Sequence, residues 1–148
     1  MKFNALIPEL SVTDIKKSLG FYVRILGFKV AYERPENNFA FLEFQDSQIM
    51  LDQLKSREKS IGTKRTSDDE SWNSGNLEHP FGRGVNLSIG CDNVEELYAK
   101  VSKSKHIFRE LETKSYRQGK NILTSKQFIV GDPDGYLLRF SQSISKED

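Results

Sequence analysis

The chain contains 148 residues, and its 22 lysines and arginines nearly balance its 21 aspartates and glutamates, for a net charge of +1. A chain of this length forms one ordinary domain and buries roughly 68 to 70% of its unfolded surface, so it needs no disulfide or metal to fold. The balanced charge suggests neither a basic nucleic-acid footprint nor a polybasic membrane patch. A small molecule or another protein is therefore the expected partner, with no role for nucleic acid or membrane.

Cys91 is the only cysteine, which excludes an intrachain disulfide and is typical of a reducing compartment. The first residues contain no apolar stretch of signal-peptide length. No later segment approaches the ~20 apolar residues that span a bilayer. These features predict a soluble protein of the cytoplasm.

Residues 1–54 carry the pattern of one strand, one helix and three further strands. Alternating residues over 7–12 predict a half-buried strand, and apolar residues at helical spacing over 15–26 predict a helix that ends at Gly27. Apolar-rich runs predict the next strands, over residues 28–34, 39–44 and 48–53. This order defines a first βαβββ module.

Residues 55–82 break this pattern, because they are rich in charged residues, serine and glycine and have no apolar periodicity. A loop of this length is usually functional or a mobile connection, and this one contains Trp72, the only tryptophan. Residues 55–82 are therefore predicted to be a connector that acts either as a lid or as a plain linker.

The same order of elements returns in residues 83–148. Alternation predicts a strand over 85–89, and Asp92 with Glu95 predicts a capping box before a helix over 94–101. Further strands are predicted over 107–112, 116–120, 127–130 and 136–142, the last two flanking the turn Asp132-Pro133-Asp134-Gly135. Residues 1–148 are thus interpreted as a single domain of two βαβββ modules.

A family resemblance rests on three sets of motifs, in this order: Ile7-Pro8-Glu9-Leu10-Ser11-Val12-Thr13-Asp14, then Phe21-Tyr22 with Leu26-Gly27-Phe28, then Gly131-Asp132-Pro133-Asp134-Gly135-Tyr136. Together they resemble the glyoxalase, bleomycin-resistance and dioxygenase superfamily, also called vicinal oxygen chelate proteins. The resemblance implies an α+β fold in which two βαβββ modules form curved mixed sheets around a cleft.

In the metal-dependent members of that superfamily, the ligands lie on the cleft-facing side of the strands. By the resemblance, three of these positions are Ile7, Asn86 and Arg139, and the fourth lies within residues 49–52. Isoleucine cannot bind a metal, a neutral amide is a poor ligand, and a guanidinium repels a divalent cation. Asp52 is the one carboxylate among these positions, so we predict no metal, no cofactor and no catalytic residue.

Within the superfamily, bleomycin-resistance proteins lack the metal and act by sequestration, so the resemblance implies a binding protein for a glycopeptide antibiotic. It also implies a homodimer with ligand clefts at the interface and exchange of the N-terminal strand around Pro8. Residues 37–40 resemble the segment that presents an aromatic ring to the drug. Phe39 is therefore the first candidate for stacking on the ligand, and Tyr32 is the second.

Seven further candidates are assigned to the same predicted cleft: Phe41, Asp52, Trp72, Asn86, Ser88, Tyr116 and Arg139. Trp72 or Tyr116 could supply the ring that is lost where Thr124 replaces a tryptophan of the family. Arg139 is either an anion or hydrogen-bond anchor or a surface residue paired with a carboxylate. Phe39 and Phe41 either contact the ligand or belong to the core or a dimer contact. Asn86 and Ser88 either form hydrogen bonds with a ligand or are hydrated.

Two alternative functions stay open at this point. One is a metal-dependent lyase, isomerase or oxygenase with an unusual ligand set that includes Asp52 and His79, and the other is a ligand-free interaction module. The two aspartates of the turn over residues 132–135 are explained by the turn itself. Cys91 has no basic neighbour in sequence and is interpreted as an inert thiol.

Overall fold

The computed structural model describes residues 1–55 and 72–144, so residues 56–71 of the predicted connector lie outside the described part. Four strands precede that gap and four follow it. The elements in chain order are β1 (Glu9–Val12), α1 (Ile15–Leu19), a π-helical segment (Gly20–Ile25), β2 (Lys29–Arg34), a 3₁₀ turn (Pro35–Asn37), β3 (Phe39–Phe44), β4 (Ser47–Gln53), β5 (Asn86–Gly90), α2 (Val94–Val101), β6 (Ile107–Gln118), β7 (Asn121–Gly131) and β8 (Leu137–Ile144).

The strands form two four-stranded mixed sheets of identical order. Sheet A contains β1, β4, β3 and β2 in spatial order, and sheet B contains β5, β8, β7 and β6. In each sheet the first and last strands of the module pair in parallel, and the other pairs are antiparallel. The predicted α+β fold of two βαβββ modules is therefore confirmed.

The first helix begins where the sequence predicts, but it changes type after five residues. The Asp14 side chain caps it by accepting from two amides of the first turn, at 3.0 and 3.3 Å. The chain then continues as the π-helical segment, which ends before Gly27, a residue with φ +89°. This segment buries Phe21 and Tyr22, which are adjacent in sequence.

The second helix is capped one residue later than the sequence predicts. The side-chain oxygen of Asn93 accepts from the amide of Glu96 at 3.1 Å, and its side-chain nitrogen donates to the Glu96 carboxylate at 3.3 Å. Asn93 is therefore the N-cap, and Glu96 bonds its side chain instead of the backbone amide that a capping box uses. The predicted pair Asp92 and Glu95 is wrong. No helix in the described parts of the chain is both long and apolar enough to cross a membrane.

β6 and β7 form a longer hairpin than predicted. β6 is one continuous strand where the sequence indicates two short ones, and β7 begins at Asn121, well before its predicted start. Paired residues continue toward the tip, where the hydroxyl oxygens of Ser115 and Thr124 lie 2.9 Å apart. Because both faces of this arm are largely exposed, its sequence lacks the alternation that reveals a half-buried strand.

The hydrophobic core lies between the helices and one face of each sheet, which we call the core face. Phe44 of sheet A meets Phe140 of sheet B with ring centroids 5.4 Å apart, and Tyr98 of α2 packs on Phe128 at 5.2 Å. The fully buried side chains of this core include Tyr22, Phe28, Leu42, Leu51, Val94 and Leu138. The opposite face of each sheet, its outer face, therefore presents the residues that alternate with the core.

The two modules contact each other through a reciprocal pair of turns. The turn between β7 and β8 meets the end of β1, where Asp134 accepts from the Thr13 hydroxyl at 2.6 Å and from its amide at 3.2 Å. The equivalent turn of the first module, between β3 and β4, meets the end of β5, where Gln45 accepts from the amide of Asp92 at 3.0 Å. We call these two contacts, together with the bonds of Asp132, the module seam.

Asp132 is the most heavily bonded residue of the module seam. Its carboxylate accepts from the Tyr22 hydroxyl at 2.8 Å and from the amides of Asp134 and Tyr136 at 2.9 and 2.8 Å. The Tyr136 hydroxyl in turn donates to the Ser11 carbonyl at 2.9 Å. Burial raises the pKa of Asp132 and raises the pKa of Tyr136 to about 12. The interpretation of these aspartates as turn residues alone is therefore incomplete.

A side chain at Gly135, in the turn of the module seam, is predicted to destabilise the fold. It has φ +91°, and a Cβ atom there would lie 2.4 Å from Pro80 Cβ and 2.6 Å from Pro80 Cα. We expect Gly135→Ala to lower the free energy of unfolding in urea by about 2 to 3 kcal/mol, from backbone strain plus this clash. Gly119→Ala is the matched control, because Gly119 also has positive φ (+61°) but open space around its Cβ position. Equal losses in both variants would show that the Pro80 contact contributes nothing.

Candidate functional site

Three aromatic side chains lie together on the outer face of sheet A. Phe39 and Phe41 alternate with core residues along β3, and a bulge in β2 places Tyr32 opposite Phe41. The rings of Tyr32 and Phe41 are stacked, with centroids 5.1 Å apart and 12° between their planes, and Tyr32 and Phe39 lie 6.1 Å apart. We call Tyr32, Phe39 and Phe41 the aromatic cluster. All three are candidate site residues from the sequence, and they are neighbours in the structure.

Arg34 covers the aromatic cluster, a contact that sequence reasoning missed. Its guanidinium carbon lies 3.9 Å from the centroid of the Phe39 ring and 5.9 Å from that of Tyr32. The strand pairing explains this position, because Arg34 is the direct partner of Phe39 in the β2–β3 pair. A cation over an aromatic face is favourable by about 0.5 to 2 kcal/mol, so the face of Phe39 is already occupied by a planar group.

The N-terminal segment 1–6 lies against the same outer face. Phe3 packs edge-on against Phe41 with centroids 5.4 Å apart. Gln48 holds the segment by accepting from the amide of Asn4 at 2.7 Å and donating to the carbonyl of Lys2 at 2.9 Å. In this structure the segment therefore contacts its own sheet, and the predicted strand exchange around Pro8 stays a prediction.

Two carboxylates lie beside the aromatic cluster. Asp52 of β4 is paired with Phe39 on one side and with Ser11 of β1 on the other. Glu9 is two residues before Ser11 and lies on the same face of β1. Burial raises the pKa of both carboxyls, and their mutual proximity raises that of Glu9 further, whereas the Arg34 charge acts in the opposite direction. Asp52 thus shares a face with the aromatic cluster, as predicted.

Four predicted residues lie on the outer face of sheet B. Arg139 alternates with two residues of β8 that have no exposed surface, and it is paired with Ser88 of β5. Asn86 is two residues from Ser88 on the same strand, and both are exposed. Tyr116 of β6 lies on this face as well, because it pairs with Leu123 of β7.

A buried glutamine organises the centre of this face. Gln127 is 5% exposed, and its side-chain nitrogen donates to the Tyr116 hydroxyl at 2.7 Å and to Glu112 at 3.2 Å. Glu112 also lies 3.7 Å from the guanidinium of Arg109. Sequence reasoning missed Gln127 and Glu112, because their pairing depends on the register of the long hairpin.

Arg139 forms no ion pair within residues 1–55 and 72–144. Its Nε is shielded from solvent and makes no hydrogen bond, and the ion pairs found there involve other residues. The interpretation of Arg139 as one half of a surface ion pair therefore finds no support in the described parts of the chain.

The remaining candidates are separate from both faces or lack the chemistry for a metal. Trp72 is 68% exposed and follows the undescribed part of the connector. Ile7 precedes β1 and offers no ligand atom, and His79 is an exposed connector residue. Across residues 1–55 and 72–144, no three histidine, cysteine, aspartate or glutamate side chains lie close enough together to hold a metal ion.

Two sheets of identical order, each built from one βαβββ module, define the class: an α+β protein made of two repeated βαβββ units. The sequence also identifies the family. Residues 4–140 match the Glyoxalase/Bleomycin resistance protein/Dioxygenase superfamily, and the chain belongs to this family.

Similar proteins span nearly the whole chain. A bleomycin resistance protein from Geobacillus stearothermophilus and another from Staphylococcus aureus are each 28% identical to it over 146 residues, which is 93% of this chain and 96% of theirs. The crystal structure of TioX from Micromonospora sp. ML1 superposes with a TM-score of 0.65 at 19% identity, covering 96% of this chain and 100% of TioX. At that identity TioX supports the fold alone.

Proposed function

We propose that this chain is a metal-independent, dimeric binding protein that sequesters a bleomycin-type glycopeptide antibiotic or a similar flat, polar molecule. The observation that carries the proposal is the aromatic cluster on an outer sheet face, beside Asp52 and Arg34. The similarity to bleomycin resistance proteins over 93% of the chain supports the same ligand class. Sequestration in the cytoplasm, without nucleic acid or membrane, is part of the proposal.

The aromatic cluster can bind a flat ring by stacking. Each face contact contributes about 0.5–1.5 kcal/mol beyond burial. Because Arg34 and Phe3 cover Phe39 and Phe41, a ligand ring would insert against these two covers or displace them. Such a site binds without making or breaking a bond, which is the property of a sequestering protein.

Dimerisation would bring the two outer faces together. In the described residues of one chain, no hydrogen bond, ion pair or ring contact joins the outer face of sheet A to that of sheet B. A second copy could oppose its outer face of sheet B to the aromatic cluster, which would combine Phe39 with Arg139 in one cleft. We expect light scattering at micromolar concentration to give the mass of a dimer, and a monomer would remove the shared cleft.

The proposal predicts saturable binding of bleomycin. We expect titration with copper-loaded and with metal-free bleomycin, followed by calorimetry and by Trp72 fluorescence, to give dissociation constants below about 1 µM with about one site per chain. Calorimetry is needed because the drug absorbs light. Absence of heat and of any rise in melting temperature would contradict the proposal, because a ligand that binds only the folded state must stabilise it.

Metal analysis separates this proposal from the enzymatic alternative. Protein purified without chelator is expected to contain no stoichiometric zinc, iron, nickel or manganese. A near-stoichiometric metal content would instead favour a metal-dependent lyase, isomerase or oxygenase that uses Asp52 and His79. A chain that binds neither metal nor small molecules would favour the interaction module.

A further inference from the structure

We infer that Arg139 is an anion receptor, and that the ligand of this protein carries a carboxylate, sulfonate or phosphate group on a flat ring system. This inference rests on the dimeric cleft of the proposed function and not on bleomycin as its ligand, because it selects an anionic member of the flat, polar class. It goes beyond that function because it assigns a negative charge to the ligand. The outer face of sheet B would bind the anionic group, and the aromatic cluster of the second copy would stack on the ring.

The surroundings of Arg139 suit an oxyanion. β8 lies between β5 and β7, so Arg139 is flanked by Ser88 on one side and Ile129 on the other. Ser141 follows on the same face of β8, and Asn86 is two residues from Ser88 on β5. Hydroxyl and amide groups thus lie on the β5 side of Arg139 and along β8, and its planar guanidinium can bind an oxyanion through two parallel hydrogen bonds.

Of the two arginines on the outer face of sheet B, only Arg109 has a carboxylate beside it in the described residues. Glu112 lies against Arg109 at 3.7 Å. Arg34 lowers the pKa of Glu9 and of Asp52, against the larger effect of their burial. Arg139 has no such carboxylate, and its Nε is both shielded from solvent and unbonded. An N–H group that is shielded from solvent and makes no hydrogen bond is costly, and a bound oxyanion can accept from it.

A carboxylate from a second copy is the competing source of the anion. The carboxylates on the outer face of sheet A are Glu9, Glu43 and Asp52, by strand parity. Glu9 and Asp52 are already under the influence of Arg34, and Glu43 accepts a bond from Gln48 at 3.3 Å. Glu43 thus has a partner within its own sheet, and burial disfavours the charged forms of Glu9 and Asp52 by raising their pKa, so we assign the anion to the ligand.

The test uses two dyes that share their rings and differ in charge: anilinonaphthalene sulfonate and phenylnaphthylamine, which lacks the sulfonate. The wild-type protein is expected to bind the sulfonate about tenfold more tightly. Arg139→Gln should weaken sulfonate binding by about tenfold or more, since hydrogen bonds to charged groups are among the stronger ones. The affinity for the uncharged dye should stay the same. Arg139→Lys should keep part of the preference, with a greater dependence on salt.

Arg24→Gln is the matched control, because Arg24 is exposed on the π-helical segment and its loss changes the net charge equally. Its dye preference should equal that of the wild type. Melting temperature and circular dichroism confirm that each variant is folded. Equal affinity of the wild type for the two dyes, or a preference that survives in Arg139→Gln, would overturn the inference.

Three further outcomes are diagnostic. If Arg139→Gln weakens the dimer in light scattering but keeps the dye preference, the anion comes from the second copy and the inference is wrong. If bleomycin fails to bind while the sulfonate preference depends on Arg139, the antibiotic proposal fails and the inference stands. If bleomycin binds equally to wild type and Arg139→Gln and the dyes show no preference, the inference fails alone.

Discussion

Asp132→Ala is expected to lower the free energy of unfolding by about 3 to 5 kcal/mol. The substitution removes the acceptor for three donors at once: the Tyr22 hydroxyl and the amides of Asp134 and Tyr136. Tyr22 has no exposed surface, and Asp132 is 5% exposed, so water cannot easily replace the lost carboxylate. Each buried donor left without a partner costs about 1 to 3 kcal/mol.

Urea unfolding followed by circular dichroism measures this loss. Asp46→Ala is the matched control, because Asp46 occupies the equivalent turn of the first module but is exposed, and it should change the free energy of unfolding by less than about 0.5 kcal/mol. Tyr22→Phe should lose about 1 to 2 kcal/mol, since it deletes one donor and leaves two. A loss in Asp132→Ala no greater than in Asp46→Ala would contradict the role given to the module seam.

The pH dependence of this site has a definite sign. Burial raises the pKa of Asp132 in the folded protein, so the folded state binds its proton more tightly than the unfolded state does. The stabilising effect of protonation is fully present below the unfolded pKa of about 3.9 and is lost as the pH rises through the folded pKa. The stability of the wild type relative to Asp132→Asn should therefore fall with rising pH across this window.

Phe39→Ala is expected to weaken bleomycin binding by about 30- to 100-fold, the range of an aromatic hot spot. Phe39 supports Arg34 from below at 3.9 Å and lies beside Tyr32. Its loss removes the surface on which a ligand ring stacks. It also removes the ring that holds Arg34 in place. Calorimetry with wild type and variant gives the two dissociation constants.

Phe108→Ala controls for the loss of a phenyl ring, because Phe108 is 64% exposed on β6 and has no contact with the aromatic cluster. Its affinity for bleomycin should equal that of the wild type. Phe39 is 6% exposed, so its variant will also be less stable, and binding must be measured where the protein is fully folded. Unchanged affinity in folded Phe39→Ala would remove the aromatic cluster from the binding site.

Alternation along strands predicts which face most candidates share. Phe39 and Phe41 alternate with Ala40 and Leu42, and Arg139 alternates with residues that are fully buried. This works because one face of each sheet is packed in the core, so a shift of one residue would expose the whole apolar set. The orientations of Asn86 and Ser88 follow in the same way.

Contacts between strands are harder to predict, because they depend on register. The bulge in β2 decides that Tyr32 stacks on Phe41, and no residue of β2 signals it in advance. The bond from Gln127 to Tyr116 likewise requires the hairpin of β6 and β7, whose exposed arm has no alternation. These contacts are the part of the candidate site that the sequence does not reveal.

Long-range polar contacts are equally invisible in sequence. A turn motif accounts for the bonds of Asp132 to nearby amides, but not for its bond to Tyr22, which is 110 residues away. Asp134 and Thr13 are 121 residues apart. Asp and Thr are common in turns and caps, so nothing in their local pattern distinguishes a partner in the other module.

The module seam is unequal at its two ends. One end contains a shielded network of carboxylates around Asp132 and Asp134, whereas the other has a single bond between the exposed residues Gln45 and Asp92. Local opening starts where contacts are few and solvent is near. Solvent therefore reaches the Gln45 end first, whereas the ring contact between Phe44 and Phe140 just inside it keeps the two modules joined through one shared core.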